Sequence, residues 1–400
     1  MRLGWVDFSK TERNKVLSVL DLLSEPGTLD ELGIAPVRDG FADLFFPGTS
    51  TIQTRAKYFL IIPYTMKELE YSRESNPQRL LRILDEMERD CGERLRQHDA
   101  SDMGIIGGRS LGQGKWVKRG PASIYWAGLR TYGIFCGGNL SISEYLRAVC
   151  AMKNRKTTLT RLGNRYDQTE ERDQDDRDAG DQFHMRFWSL PEYSKDWRDD
   201  LSLKLTPEEG AFLKHRILVS NPDSMMAQIL RNQSEEFLNC QSFQEMKSLI
   251  GRMPENIQRD YKFAADFSDF LFVIRTLYNI ILSEGKNEQA SLIWDQQKNQ
   301  LSRYARTDID GIISRLGLAR NYRLCRFLKK AQSLMAEGDT EGLKNEIRRR
   351  EQELKQGRAK TAHPGEFKTQ EWYGGGQLDY RFGNAKTIIR DILESGDQHA

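Results

Sequence analysis

Apolar residues recur three and four positions apart along most of this chain, a period that predicts helices rather than strands. Ser9-Lys-Thr-Glu12 has the form of a capping box, in which the serine hydroxyl accepts from the third helical amide while the glutamate returns to the cap amide. It predicts a helix from about 10 to 24, ended by Glu25-Pro-Gly27. Arg38 to Phe46 predicts a second short helix, which Pro47-Gly48 breaks. Ser50-Thr-Ile-Gln53 then reads as another capping box. The helix it opens near 51 would bury Ile52, Ala56, Phe59, Leu60, Met66 and Leu69, with a kink at Pro63. Asn76-Pro77, a cap followed by proline at the first helical position, opens a charged amphipathic helix to about Gln97.

From Asp102 to Gly120 the texture turns glycine-rich and basic (GIIGGRSLGQGKWVKRG), which predicts a loop or an irregular hairpin. Pro121 starts a short helix, PASIYWAGLRTY, Gly133 to Gly138 makes a turn, and Ser141 or Ser143 caps a further helix to about Met152. Residues 167–182 hold eight acids, two arginines and nothing apolar larger than alanine. Burial cannot offset the entropy of ordering such a segment, so it reads as a linker and domain boundary. An aromatic cluster follows at Phe183, Phe187, Trp188, Tyr193 and Trp197. Thr206-Pro-Glu-Glu209 is a third capping box, and helices are predicted near 207–219, 223–238, 255–284, 287–304, 321–336 and 340–356. Trp372 to Phe382, WYGGGQLDYRF, reads as a small hairpin before a last helix from about Asn384 to Leu393.

The expected architecture is mainly α and multi-domain: a helical domain over 1–100, a basic module over 101–166, the linker 167–182, and a helical domain over 183–400. The module would combine the glycine-rich loop with a helix-turn-helix or winged-helix-like pair, and a few short strands complete the picture. The run Phe263 to Leu282 approaches membrane-span length, but Asp266, Asp269 and Arg275 interrupt it, so a helix buried in a globular domain is expected and no membrane partner. The five cysteines are dispersed and never paired as C-x-x-C, and the N-terminal MRLGWVDFSKTERNK lacks a continuous apolar core, so a cytoplasmic protein with free thiols is expected.

Catalytic motifs are missing where their spacing would reveal them. A phosphate loop would need glycine five positions before Gly114-Lys115 and a hydroxyl residue after it, where Arg109 and Trp116 stand. No histidine sits in an H-x-x-x-H spacing, and there is no G-x-S-x-G. Asp266 and Asp269 share a helical face and could hold a divalent ion, but acids so placed commonly face water or pair with an arginine such as Arg275. No cofactor and no resident metal are expected. Net charge is nearly zero, with 60 Lys and Arg against 58 Asp and Glu, yet its distribution is uneven. Arg109, Lys115, Lys118, Arg119, Arg130, Arg147, Lys153, Arg155, Lys156, Arg161 and Arg165 face a single acid, Glu144, across residues 109–165. Basic side chains in that density can neutralise phosphates, and Trp116, Tyr125, Trp126 and Tyr132 could stack on unpaired bases. Two alternatives stay open: the aromatics form a buried face while the cations lie against the acidic linker, or the charge is simply solvated. Thr49, Ser50 and Thr51, with Arg55 near a helix start, form a possible anion site, or else a plain cap.

The segments LGWVDFS near the start, LFFPGTSTIQTRAKYFLIIPY at 44–64, PASIYWAGLRTYGI at 121–134 and LDYRFGNAKTIIRDIL at 378–393 together resemble a bacterial family defined only as a domain of unknown function. The resemblance spans nearly the whole chain, implies no catalytic residues, and implies a setting in anti-phage defence islands beside helicases and nucleases. The combined expectation is a non-catalytic nucleic-acid-binding or scaffold subunit that contacts DNA and other defence proteins. A nuclease with carboxylates assembled from distant segments, and a pure protein-interaction adaptor using the 183–197 aromatics and the helical C-terminal half, are the rivals.

Overall fold

A computed structural model describes residues 30–98, 101–166 and 186–396. The helix predicted over 10–24 and the acidic segment 167–182 lie outside the described residues. The fold is mainly helical. Its helices of eight residues or more are α1 (Ala35–Phe45), α2 (Tyr58–Tyr71), α3 (Pro77–His98), α4 (Pro121–Thr131), α5 (Ile142–Tyr166), α6 (Pro207–Ser220), α7 (Met225–Asn232), α8 (Glu255–Leu282), α9 (Glu288–Gln297), α10 (Tyr322–Glu337), α11 (Thr340–Lys355) and α12 (Phe382–Glu394). Among the described residues the β pairing is one isolated antiparallel bridge, Phe135 to Trp188. The segment read as a hairpin, Trp372 to Phe382, is a chain of turns in which Trp372 stacks on Phe272.

The chain forms two compact units, each assembled from segments far apart in sequence: Met1–Phe41 with Pro254–Tyr380, and Ala42–Met253 with Arg381–Ala400. In the first, α8 is the central element, burying Phe267, Phe270, Leu271, Ile274, Leu277 and Tyr278 among others against α9 and α11. Arg275 on this helix was expected to pair with a neighbouring acid. Instead its guanidinium donates to the Gly376 carbonyl, and burial pulls its pKa down to about 10. Asp266 pairs with Lys262 at 2.8 Å, and Asp269 accepts from Gln377 Nε2 at 3.0 Å. A short helix missed by the periodicity, Ile309–Arg315, starts at Asp308, whose side chain accepts from the Gly311 amide.

In the second unit α2 is nearly engulfed. Its residues from Tyr58 to Met66 are all buried, and two of the hydroxyls among them are paired: Tyr58 OH accepts from the Ile106 amide and Thr65 Oγ1 donates to the Ile61 carbonyl. Amphipathic α3 brings Leu80, Leu84, Glu88, Cys91 and Leu95 to one face, the three-and-four spacing read from sequence. Asn76 caps it, its Oδ1 accepting from the Gln78 and Arg79 amides. The Thr206–Glu209 capping box is formed as expected at the start of α6. α12 inserts Phe382, Ala385, Ile388, Ile389 and Ile392 beside α6 and α7. Of the aromatic residues near 187–197, Phe187 and Trp188 are core, Phe187 stacking on Phe135 and Trp188 meeting Trp126 edge to face, while the exposed Tyr193 stacks on Tyr64 and Trp197 is half-buried.

Candidate nucleic-acid interface

The glycine-rich segment between α3 and α4 is a folded loop with one helical turn, Gly108–Leu111. Trp116 fixes it. A side chain on Gly92 of α3 would come 2.9 Å from Leu111 and meet the Trp116 ring, and one on Gly107, at φ +76°, would meet that ring at 2.9 Å. The indole thus packs between two glycines while its Nε1 donates to Asp85 at 3.0 Å. Upstream, Thr54 Oγ1 bonds the Gly104 carbonyl at 2.6 Å. Downstream, the buried Glu88 carboxylate accepts from the Ala122 amide at 2.5 Å, at the start of α4. Burial pushes that carboxyl up to about 7, against the pull of the Ala122 amide.

Pinned at these points, the segment turns its charge outward. Arg109, Lys115 and Lys118 are exposed and Arg119 is half-buried. Arg96, on the last turn of α3, joins them, its guanidinium lying against Gly112. Sequence reading passed over Arg96 because it belongs to a helix with interleaved acids and reaches the loop only in three dimensions. Among the described residues these five cations form no ion pair.

The other expected contacts fare differently. Lys153, counted with them, is consumed inside the fold: its Nζ donates to the carbonyls of Leu69, Ser72 and Glu74 and to Ser72 Oγ, at 2.7 to 3.1 Å. It satisfies the carbonyls left over where α2 ends. Arg130 reaches the Asn139 carbonyl and Arg147 the Ser143 carbonyl, both at 3.3 Å. Arg155 is exposed on α5, and the side chains of Lys156, Arg161 and Arg165 lie outside what is described. Tyr125, Trp126 and Tyr132 are buried and unavailable for base stacking; Tyr125 OH alone accepts from the Thr54 and Arg55 amides and donates to the Arg55 carbonyl. The connection between α4 and α5, residues 132–141, carries the bridge to Trp188, where an ordinary helix-turn-helix uses three or four residues.

The Thr49 to Arg55 segment is not a helix start, so it offers no set of free helical amides. Residues 51–52 turn, and α2 begins only at Tyr58. Gln53 accepts from the Ser50 amide, one half of the expected box, and its Nε2 donates to the Gly48 carbonyl, closing a loop. Thr49 Oγ1 bonds the Phe46 carbonyl, and the Thr51 carbonyl accepts from Asn384 on α12. Arg55 is already committed to carboxylates: its Nε lies 3.0 Å from both oxygens of Asp391, and another nitrogen bonds Asp102. The neighbouring Lys57 forms a buried pair with Glu209 at 2.6 Å, so that this loop is tied to α12 through Arg55 and to α6 through Lys57. An anion would have to displace Asp391, itself 5% exposed.

Among the described residues no three His, Cys, Asp or Glu side chains gather as metal ligands, and no helix is long and apolar enough to cross a membrane. Residues 1–153 match a family of unknown function (DUF6361). That stretch contains the LGWVDFS, PGTS-centred and PASIYWAGLRTYGI segments, while LDYRFGNAKTIIRDIL lies beyond it. No curated protein and no solved structure matches the chain.

Proposed function

We propose that this protein is a non-catalytic nucleic-acid-binding subunit whose contact surface is the loop between α3 and α4, with Arg96, Arg109, Lys115, Lys118 and Arg119 meeting phosphates. One observation carries the proposal: these cations share a short, internally pinned segment and have no carboxylate partners among the described residues. Solvated cations on a rigid loop suit backbone contacts, which supply affinity and orientation without reading sequence. Buried aromatics make base stacking a poor fit and favour duplex DNA over single strands. Helices α4 and α5 act as the supporting pair of a helix-turn-helix-like module with a long connection. The defence-island setting implied by the family resemblance suits such a cytoplasmic subunit working beside a helicase or nuclease.

The test is duplex binding by fluorescence anisotropy over a salt series. Replacing Arg109, Lys115, Lys118 and Arg119 together by alanine should weaken binding to unrelated sequences alike and lower the salt slope by roughly three to four units. Folding should persist, since exposed charges contribute only about 0 to 1 kcal/mol each. Lys153→Met is the control: it should lower thermal stability and leave the salt slope as it was. Equal affinity and slope in the fourfold variant would sink the proposal.

A further inference from the structure

The first unit holds a cavity of about 370 Å³ at the end of α8, between Ile280 and Ile281 on one side and α11 and Pro364 on the other. Its volume falls within the range of small-molecule sites, and its composition has the usual division into an apolar floor with a few polar groups. The floor is Ile280, Ile281 and Pro364. Lys344 and Arg348, one helical turn apart on α11, stand together at the wall. Among the described residues Lys344 has only the exposed Glu341 as an ionic partner, and Arg348 bonds the neutral Asn345 at 3.0 Å. Glu284, the acid at the rim, is bound to Lys286 at 3.1 Å, so the cations dominate the field inside.

A second, independent feature points the same way. Thr361 lines the cavity at 6% exposure, and its Oγ1 has no hydrogen-bond partner among the described residues, although its amide is held by Glu351 at 2.9 Å. A buried hydroxyl without a partner is costly unless something completes it. We propose that this cavity binds a small organic phosphate, its phosphoryl group held by Arg348, Lys344 and the Thr361 hydroxyl, and its uncharged body on the isoleucine and proline floor. Arginine's planar fork suits two phosphoryl oxygens, lysine supplies a point charge, and a monoester's size fits the space.

Calorimetric titration of the full chain with AMP, and separately with inorganic phosphate, tests this. AMP should bind, and more tightly than phosphate, because only AMP uses the floor. Arg348→Gln should lower AMP affinity by about tenfold or more and Lys344→Gln by several-fold, the loss expected for a charge-assisted hydrogen bond. Thermal melts of both variants without ligand should match the parent. Thr361→Val, close in shape, should also weaken AMP while leaving the free protein folded. No AMP binding at millimolar concentration, phosphate binding as tightly as AMP, or undiminished AMP affinity in the folded Lys344→Gln and Arg348→Gln variants would each overturn the proposal.

Discussion

At the scale of single residues, the second unit depends on side chains whose partners lie far away in sequence. Tyr125 OH is the acceptor for two backbone amides, those of Thr54 and Arg55. Tyr125→Phe keeps the ring and leaves both amides without it, so denaturant titration should show a loss of about 1 to 3 kcal/mol. Arg55 makes a larger contribution to order than to a ligand site, because removing it would strand Asp391 in a nearly closed environment. Arg55→Met should cost about 3 to 5 kcal/mol, and adding Asp391→Leu should recover part of it, since an apolar pair of similar size avoids the buried charge. A double variant no more stable than Arg55→Met would show that Asp391 has other support.

At the scale of elements, the basic loop is held at the junction of α3 and α4 by Glu88. Its carboxyl is pushed up to about 7 by burial, so the folded chain binds this proton more tightly than the unfolded chain does. For an acid shifted upward the sign is clear: the contribution is complete below the unfolded pKa near 4.3, declines as pH rises through the window to about 7, and is constant above it. The decline is on the order of 3 kcal/mol. Glu88→Gln, which keeps an acceptor for the Ala122 amide, should remove that slope between pH 5 and 8 and be the more stable form at pH 8. Parallel pH profiles for parent and variant in urea unfolding would contradict this.

For the whole molecule, the division into units predicts more than one unfolding transition. Truncation after Tyr380 leaves every described segment of the first unit in place but removes α12 from the second, and with it the buried Phe382, Ile388, Ile389, Ile392 and Asp391. Calorimetry of that truncated chain should keep the transition of the first unit and lose that of the second. Retention of both would mean that α12 is dispensable to the core it enters. The experiment also separates the two binding proposals, because the organic-phosphate cavity lies wholly within the first unit and the basic loop wholly within the second.

Sequence by itself determined the local features: the helices Pro77–His98, Pro207–Ser220, Glu255–Leu282 and Thr340–Lys355, and the caps at Asn76 and Thr206. Their causes, side-chain period and hydrogen bonds within a turn, act over a few residues and leave a readable pattern. It also marked the glycine-rich segment as a break carrying Arg109, Lys115, Lys118 and Arg119. Tertiary structure decided the use of every side chain with two possible uses. Lys153 became a helix cap because the end of α2 arrives beside it, Tyr125 and Trp126 turned their rings inward, and Arg55 found carboxylates some fifty and more than three hundred positions away. A lysine, an arginine or a tyrosine has the same chemistry in the sequence whether it meets a phosphate, a carboxylate or a backbone carbonyl. Which one it meets depends on contacts that close long loops, and those contacts leave no local period to read.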